Sequence, residues 1–145
     1  MATMLEMLQG FQRGSTPPPP IAQLIGFRLS SLEVGHVTVE LEAAERHSNP
    51  MGTLHGGVLC DIADAAMGMA YASTLGEGES FTTLELNISF LRPVWKARLR
   101  AQAKVVKGGG TIGLVACDVL DDKDRLVARA SSTVMTLRGE QARGR

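Results

Sequence analysis

The sequence predicts an α+β domain in which an antiparallel sheet of about six strands wraps around a long central helix, with an extra N-terminal helix. Most of the chain consists of short segments in which apolar and polar residues alternate, as in strands with one buried face. One long segment, residues 56–74, instead carries apolar residues around most of a helical circumference. Such a helix is normally buried on nearly all sides. A curved sheet around that helix would bury both elements.

Composition and charge fit a single domain of this kind. The chain has 145 residues, of which 44% are apolar, enough for one core. Lys and Arg (15) balance Asp and Glu (15), so we expect neither nucleic acid nor a membrane as partner. Cys60 and Cys117 lie in apolar sequence and are expected to be buried free thiols. With no secretory signal or membrane-spanning run in the sequence, we expect a cytoplasmic protein.

The first 20 residues predict an N-terminal helix followed by a proline-rich linker. Met4, Met7, Leu8 and Phe11 fall at helical spacing, and Gly14 with the prolines at 17–20 ends any helix. A spacer is the simple interpretation of this linker, and a polyproline ligand for a partner is the alternative. The domain proper is then expected at residues 21–138, with a disordered tail at 139–145.

The strands of the domain follow in chain order. Residues 25–29 and 37–41 alternate with period two and predict a hairpin, turned by the glycine between them. Beyond the long helix, four more strands are predicted at residues 82–90, 97–106, 111–120 and 125–137. The strand at 111–120 is apolar on both faces, which indicates a central position or a subunit contact. The strand at 82–90 should place Leu84, Leu86, Ile88 and Phe90 on one face, opposite Thr83, Glu85, Asn87 and Ser89.

Two aspartates in the long helix need an explanation, because a buried lone carboxylate costs several kcal/mol, a typical order of magnitude. Asp61 lies near the helix start, where free amides could hold it, whereas Asp64 lies a turn further in. Gly56 and Gly57 leave backbone N–H groups uncovered at that start, where the helix dipole favours negative charge. A polarising amide and an aspartate that attacks a carbonyl or activates water would form a hydrolytic site without a serine.

Other chemistries have weaker support in the sequence. His55 is a lone histidine without CxxC or HExxH spacing to other ligands, so we expect no metal. Cys60 and His55 are five residues apart on a helix and would face different sides, which disfavours a nucleophilic pair. From spacing alone, a histidine that caps the helix is as good an interpretation of His55 as a functional role.

The stretch HSNPMGTLHGGVLCDIADAAMGMA, continued by TTLELNISFLRPV and the last strands, resembles the hotdog-fold acyl-CoA thioesterases of the phenylacetate-degradation (PaaI-like) type. The resemblance covers about residues 22–137. Its motif is an Asn six residues before a His, then His-Gly-Gly, and a carboxylate nine residues after the His. Asn49, His55, Gly56, Gly57 and Asp64 match it. A homodimer that assembles into a homotetramer is implied.

The resemblance also implies roles for these residues. The Gly56 amide would donate to the thioester carbonyl oxygen, with His55 and Asn49 beside it to orient the site. Asp64, reaching across from the other subunit, would be the nucleophile or the general base, and both roles stay open. Thr83 matches a position where some relatives hold the lytic water, whereas Gly68 stands where glutamate-using relatives often have Ser or Thr. Asp61 matches no catalytic position, and a helix-start or solvent-linked role is expected.

The implied substrate is an acyl-CoA with a medium-chain or aryl (phenylacetyl-type) group, and no separate cofactor is expected because coenzyme A is part of the substrate. Substrate binding is expected from Gly57, Arg92, Lys107, Gly109 and Gly110, of which the last four are expected to contact the CoA phosphates. The alternative is a non-catalytic hotdog domain that binds acyl-CoA without turnover. A hydratase on the same fold would need a His downstream of the Asp on the helix, and no His follows His55.

Overall fold

The computed structural model describes residues 2–145 and confirms the predicted fold class. Met1, at the start of the predicted N-terminal segment, lies outside the described residues. The helices are α1 (Met4–Arg13), α2 (Pro20–Ile25) and α3 (Gly56–Ala72). The strands are β1 (Arg28–Glu33), β2 (His36–Ala43), β3 (Ser80–Phe90), β4 (Ala97–Lys107), β5 (Ile112–Leu120) and β6 (Leu126–Leu137). Short 3₁₀ helices occupy Glu45–His47 and Gly139–Ala142, the second within the tail for which the sequence predicts disorder.

All six strands form one antiparallel sheet in the order β1-β2-β4-β5-β6-β3. The inward side chains of the sheet and the buried side of α3 share one apolar core. β5 has β4 and β6 on its two sides, so the central position predicted for it is confirmed. β1 and β3 are the outer strands, and β3 offers an 11-residue edge with no ladder partner among residues 2–145.

The N-terminal helices follow from local capping signals. Thr3 and Glu6 form a capping box at the start of α1, and Gly14, at φ +76°, ends it. Ile25 was expected to begin a strand but ends α2 instead. Pro20 suits the first turn of a helix and Gly26 takes the left-handed cap at φ +96°. These signals outweigh the two-residue alternation, so β1 begins only at Arg28.

Helix α3 differs from the expectation in its exposure. Nine of its residues are buried, including Ile62, Ala63 and Ala66, but the side that carries Gly57, Asp61 and Asp64 is open in the single chain. The rest of the helix is buried as predicted, and burial of this side stays a prediction that a second copy would have to fulfil. β3 lies along the helix in the opposite direction, with Phe90 beside Gly56 and Phe81 beside Gly68.

Both cysteines are free thiols. Cys117 is buried, and burial raises its pKa to about 12. Cys60 is only half-buried, on the open side of α3, so the expectation of burial holds for Cys117 alone.

Candidate active site

The start of α3 presents a free backbone donor. His55 caps the helix: its ring Nδ1 accepts a hydrogen bond from the Gly57 amide at 2.9 Å. The Val58 amide donates to the His55 carbonyl oxygen at 3.0 Å. The Gly56 amide donates to no atom within residues 2–145. This N–H is therefore available for an oxyanion, whereas the Gly57 amide, expected to contact substrate, is already engaged by His55.

Gly56 is a glycine for a steric reason. A Cβ at this position would lie 2.9 Å from the tip of the Phe90 ring, closer than such contacts allow. Phe90 is the last residue of β3, and 54% of its surface is exposed. The glycine thus lets the ring cover the helix start at close range, and it leaves the amide uncovered by a side chain of its own.

Asn49 organises the loop that leads into α3. Its Oδ1 accepts from the amides of Met51 (3.0 Å) and Thr53 (3.2 Å), and its Nδ2 donates to Thr53 Oγ1 at 2.7 Å. The His55 amide donates to the His47 carbonyl oxygen at 2.9 Å, which fixes the end of the same loop. Asn49 therefore holds the position of His55 and Gly56 through the backbone. Its expected role beside the thioester stays a prediction.

Asp64 lies in a cleft of about 300 Å³ between α3, β3 and the N-terminal segment. The carboxylate is exposed at the cleft mouth in the single chain, yet the walls are mostly apolar and remove part of its solvation. The pKa of Asp64 is raised, first by this burial and then by the negative charge of Asp61, while a hydrogen bond from the Thr83 hydroxyl lowers it. A raised pKa makes the carboxylate a stronger base.

A β-bulge at Leu84 brings Thr83 to this carboxylate. Thr83 pairs with Val134 and Glu85 with Thr133, so Leu84 is an extra residue that shifts the alternation of β3. Phe81 and Thr83 face the helix before the bulge, and Leu86 and Ile88 face it afterwards.

The single apolar face predicted for β3 is therefore wrong. Leu84 is 54% exposed, and Thr83 is separated from Glu85 and Asn87, which bond to Thr133 and Ser131 on the outer face.

Asp61 shares the cleft with Asp64. The two carboxylates lie three residues apart on α3 and line the same walls, and Asp61 is half-buried. Asp61 is the sixth residue of the helix, beyond its free first-turn amides, so the helix-start explanation does not fit it. The structure thus places Asp61 in the same cleft as Asp64, although the sequence motif includes only Asp64. The negative charge of Asp61 raises the pKa of Asp64.

Gly56 and Asp64 cannot meet one carbonyl group within a single chain. They lie eight residues apart on one helix, which is about 12 Å along its axis. Gly56, Cys60 and Asp64 are spaced four apart and so form a stripe along one side of α3. This stripe adjoins β3, whose outer edge is unpaired.

The expected phosphate-binding residues fall at opposite ends of α3. Arg92 is exposed in the loop after β3 and lines a groove of about 370 Å³ together with Gly56 and Phe90. The turn that holds Lys107, Gly109 and Gly110 lies instead by Tyr71 at the other end of the helix. There the Lys107 Nζ donates to the Ile112 carbonyl oxygen at 2.8 Å, and the Gly110 carbonyl accepts from Arg138 at 3.3 Å.

The cleft also contains residues that the sequence did not single out. Pro19 comes from the segment interpreted as a linker, Ile21 is the first residue of the predicted domain, and Phe27 and Phe81 add to the apolar walls. The Pro20 and Gly26 capping signals could have shown that this segment is a helix, but nothing local shows which side of the core it covers.

Residues 2–145 contain no group of three or more His, Cys, Asp or Glu side chains arranged to hold a metal ion. None of their helices has the length and apolar character needed to cross a bilayer.

Comparison with known proteins identifies the family to which the chain belongs. Residues 51–128 match the thioesterase superfamily. The solved structure of a phenylacetic acid degradation-related protein from Ralstonia eutropha JMP134 is 32% identical, with a TM-score of 0.81 over 88% of this chain and 98% of that one.

Two relatives have names that specify an activity. The 1,4-dihydroxy-2-naphthoyl-CoA hydrolase of Listeria monocytogenes is 26% identical over 79% of this chain and 93% of its own. Acyl-coenzyme A thioesterase 13 of Homo sapiens is 26% identical over 92% of this chain and 96% of its own. The superfamily match spans more than half of the chain and includes His55, Gly56 and Asp64. The chain therefore belongs to the thioesterase superfamily, as a hotdog-fold, PaaI-like thioester hydrolase.

Proposed function

We propose that this protein hydrolyses acyl-CoA thioesters, with medium-chain or aryl acyl groups, to the free acid and coenzyme A. The observation that carries the proposal is Asp64 beside Thr83 in an apolar cleft, on the helix whose first amide is free. The reaction needs a base or nucleophile and a donor for the developing oxyanion, and these groups supply both. The carboxylate and water suffice for this chemistry, so we propose no metal and no cofactor besides the CoA of the substrate.

In the proposed reaction the thioester carbonyl oxygen accepts a hydrogen bond from the Gly56 N–H. Asp64 either removes a proton from a water held by the Thr83 hydroxyl, or attacks the carbonyl carbon itself. In the first case the water oxygen bonds to the acyl carbon, the C–S bond breaks, and the CoA thiolate leaves and takes up a proton. In the second an acyl-Asp64 anhydride forms with loss of the CoA thiolate, and water then hydrolyses it. The negative charge that builds on the carbonyl oxygen is what the helix start stabilises.

We propose that two copies of the chain complete each site. The 12 Å or so between Gly56 and Asp64 excludes their acting together in one chain, but two antiparallel α3 helices would bring the Gly56 of one copy to the Asp64 of the other. The twofold axis would then pass near Cys60, midway along the stripe. The unpaired edge of β3, next to this stripe, supports the same docking, because two such edges can join into one sheet.

The same arrangement offers a role to the remaining phosphate-binding candidates. An antiparallel partner would place the far end of its α3, with the Lys107 to Gly110 turn, beyond the Gly56 end of the first copy. Arg92 of one copy and that turn of the other would then approach the CoA moiety from two sides. Assembly of two such dimers into a homotetramer is part of the proposal, and exposed Ile112 and Leu114 on the outer sheet face are compatible with it.

The acyl preference follows from the cleft. Its volume of about 300 Å³ is at the lower end of the range for small-molecule pockets, and its walls are mostly apolar. A medium chain or a single aryl group fits such a space. The Listeria relative named for hydrolysis of an aryl-CoA is consistent with an aryl group. The free thiols of Cys60 and Cys117 suit a reducing compartment, and we propose the cytoplasm.

A thiol-release assay with acetyl-, octanoyl- and phenylacetyl-CoA tests the proposal. We expect turnover with the parent protein and a kcat lower by orders of magnitude in Asp64→Asn, which keeps the size of the side chain. Equal rates for parent and variant would exclude the role of Asp64. Tight binding of these esters without thiol release by the parent would show a binding domain instead of an enzyme.

A further inference from the structure

We propose that Ile21, together with Pro19, sets the length and shape of the acyl group that the enzyme accepts. This inference rests on the proposed function and concerns the same cleft. Both residues precede the sheet: Pro19 lies in the predicted linker and Ile21 is the first residue of the predicted domain. Neither matches a position of the His-Gly-Gly and Asp motif.

The position of Ile21 in the cleft carries the argument. Ile21 and Pro19 line the wall of the same cavity that holds Asp64 and Thr83. The other apolar walls are supplied by Phe27, by Phe81 of β3 and by Ala65, Gly68 and Met69 of α3. If Asp64 acts at the thioester carbon, the acyl group attached to that carbon extends along these walls. Ile21 is then a boundary of the space that the acyl group can occupy.

The wall is held firmly enough to discriminate between substrates. Ala22, within α2, and Phe27, just after it, are buried in the core with 4% and 6% exposure. The Ile25 carbonyl oxygen lies 2.7 Å from the buried His47 Nε2, and His47 Nδ1 accepts from the Ala44 amide at 3.1 Å. His47 therefore donates from Nε2 to the end of α2. Gln23 Nε2 also donates to the Pro18 carbonyl oxygen at 2.9 Å, which ties the helix to the proline segment.

Ile21 itself keeps room for a ligand. It is 46% exposed although it is a large apolar residue beside an apolar cleft. An acyl chain that filled the cleft would remove this surface from water, which favours binding of apolar groups over polar ones. Leu24 lies on the same short helix and is 76% exposed, but it does not line the Asp64 cleft. It therefore provides a matched control.

The experiment measures kcat/KM for an even-numbered series from acetyl- to dodecanoyl-CoA and for phenylacetyl-CoA. Ile21→Ala should move the preferred chain length upward, with a change of about tenfold in the ratio of longer to shorter substrates, because methylene-sized changes in apolar pockets have effects of this order. Ile21→Trp should move the preference toward shorter chains. Leu24→Ala should keep the parental profile. Thermal unfolding of each variant checks that the fold is intact, and Ile21→Val provides a milder change in the same direction as Ala.

The outcomes separate this inference from the proposed function. Turnover by the parent with the same chain-length profile in Ile21→Ala, Ile21→Trp and Leu24→Ala overturns the role of Ile21 alone. A profile that moves equally in Leu24→Ala also overturns it, because the effect would then belong to α2 as a whole. A parent that releases no thiol from any member of the series overturns both the proposed function and this inference.

Discussion

The backbone donor at Gly56 can be tested by two substitutions at the same position. Gly56→Pro removes the N–H, whereas Gly56→Ala keeps it and adds a similar steric demand next to Phe90. Proline suits this site because it is the first residue of α3 and because His55, at φ −65° and ψ 131°, has the extended backbone that precedes prolines. The helix should therefore start normally in both variants.

The expected magnitudes differ clearly between the two variants. Loss of one oxyanion donor lowers kcat by about 100- to 1000-fold in other hydrolases, or roughly 2.7–4 kcal/mol of transition-state stabilisation. The new Cβ would lie 2.9 Å from the tip of the Phe90 ring, so the ring must move. The ring is more than half exposed, and its displacement costs about 1 kcal/mol. Gly56→Ala should accordingly keep kcat within about fivefold of the parent.

The assay is steady-state thiol release from octanoyl-CoA, with thermal unfolding as the check on the fold. Both variants are also measured in a Phe90→Ala background, where the ring no longer limits the space. We expect the difference between Pro and Ala to persist there. Equal kcat values for Gly56→Pro and Gly56→Ala in that background would refute the assignment of the Gly56 amide as oxyanion donor.

Three further results are expected. The proposed mechanism requires the ionised form of Asp64, so activity should fall as the pH drops through its raised pKa. Asp61→Asn should lower that pKa and move the acid limb of kcat/KM to lower pH. Thr83→Val should move the acid limb to higher pH, because it removes the hydrogen bond that lowers the pKa of Asp64, and kcat should fall about tenfold or more. An unchanged acid limb in both Asp61→Asn and Thr83→Val would contradict this account of the charges in the cleft. Tyr71→Phe removes the buried hydrogen bond to Thr136 (2.6 Å) and should cost about 1–2 kcal/mol in urea unfolding, with kcat unchanged.

The sequence predicts the fold well because period and burial determine most of it. Alternation locates the strands, and the apolar surface of residues 56–74 identifies the central helix, which ends at Ala72 in the structure. Local capping decides what alternation cannot: Ile25 fits a strand by its spacing, but Pro20 and Gly26 favour a short helix there. The alternation rests on only three residues, Ile25, Phe27 and Leu29, so the proline and glycine capping signals are the stronger evidence here.

The candidate site is less accessible to sequence reasoning because it depends on tertiary geometry. The bulge at Leu84 turns Thr83 toward Asp64. No residue type in TTLELN indicates that β3 has an extra residue in its pairing with β6. The common cleft of Asp61 and Asp64 depends on where β3 and the N-terminal segment cross α3. The 12 Å or so between Gly56 and Asp64 is, by contrast, readable from the eight-residue spacing once the helix is assigned.

The central claim is that the Gly56 of one copy and the Asp64 of another form one active site, and mixing two inactive variants tests it most directly. Asp64→Asn keeps Gly56, and Gly56→Pro keeps Asp64, so a mixed dimer contains one site with both groups intact. After subunit exchange of equal amounts, half of the dimers are mixed, and activity should recover to about a quarter of the parental value. Activity that stays at the level of the separate variants, although exchange is verified with differently tagged chains, would contradict the shared site.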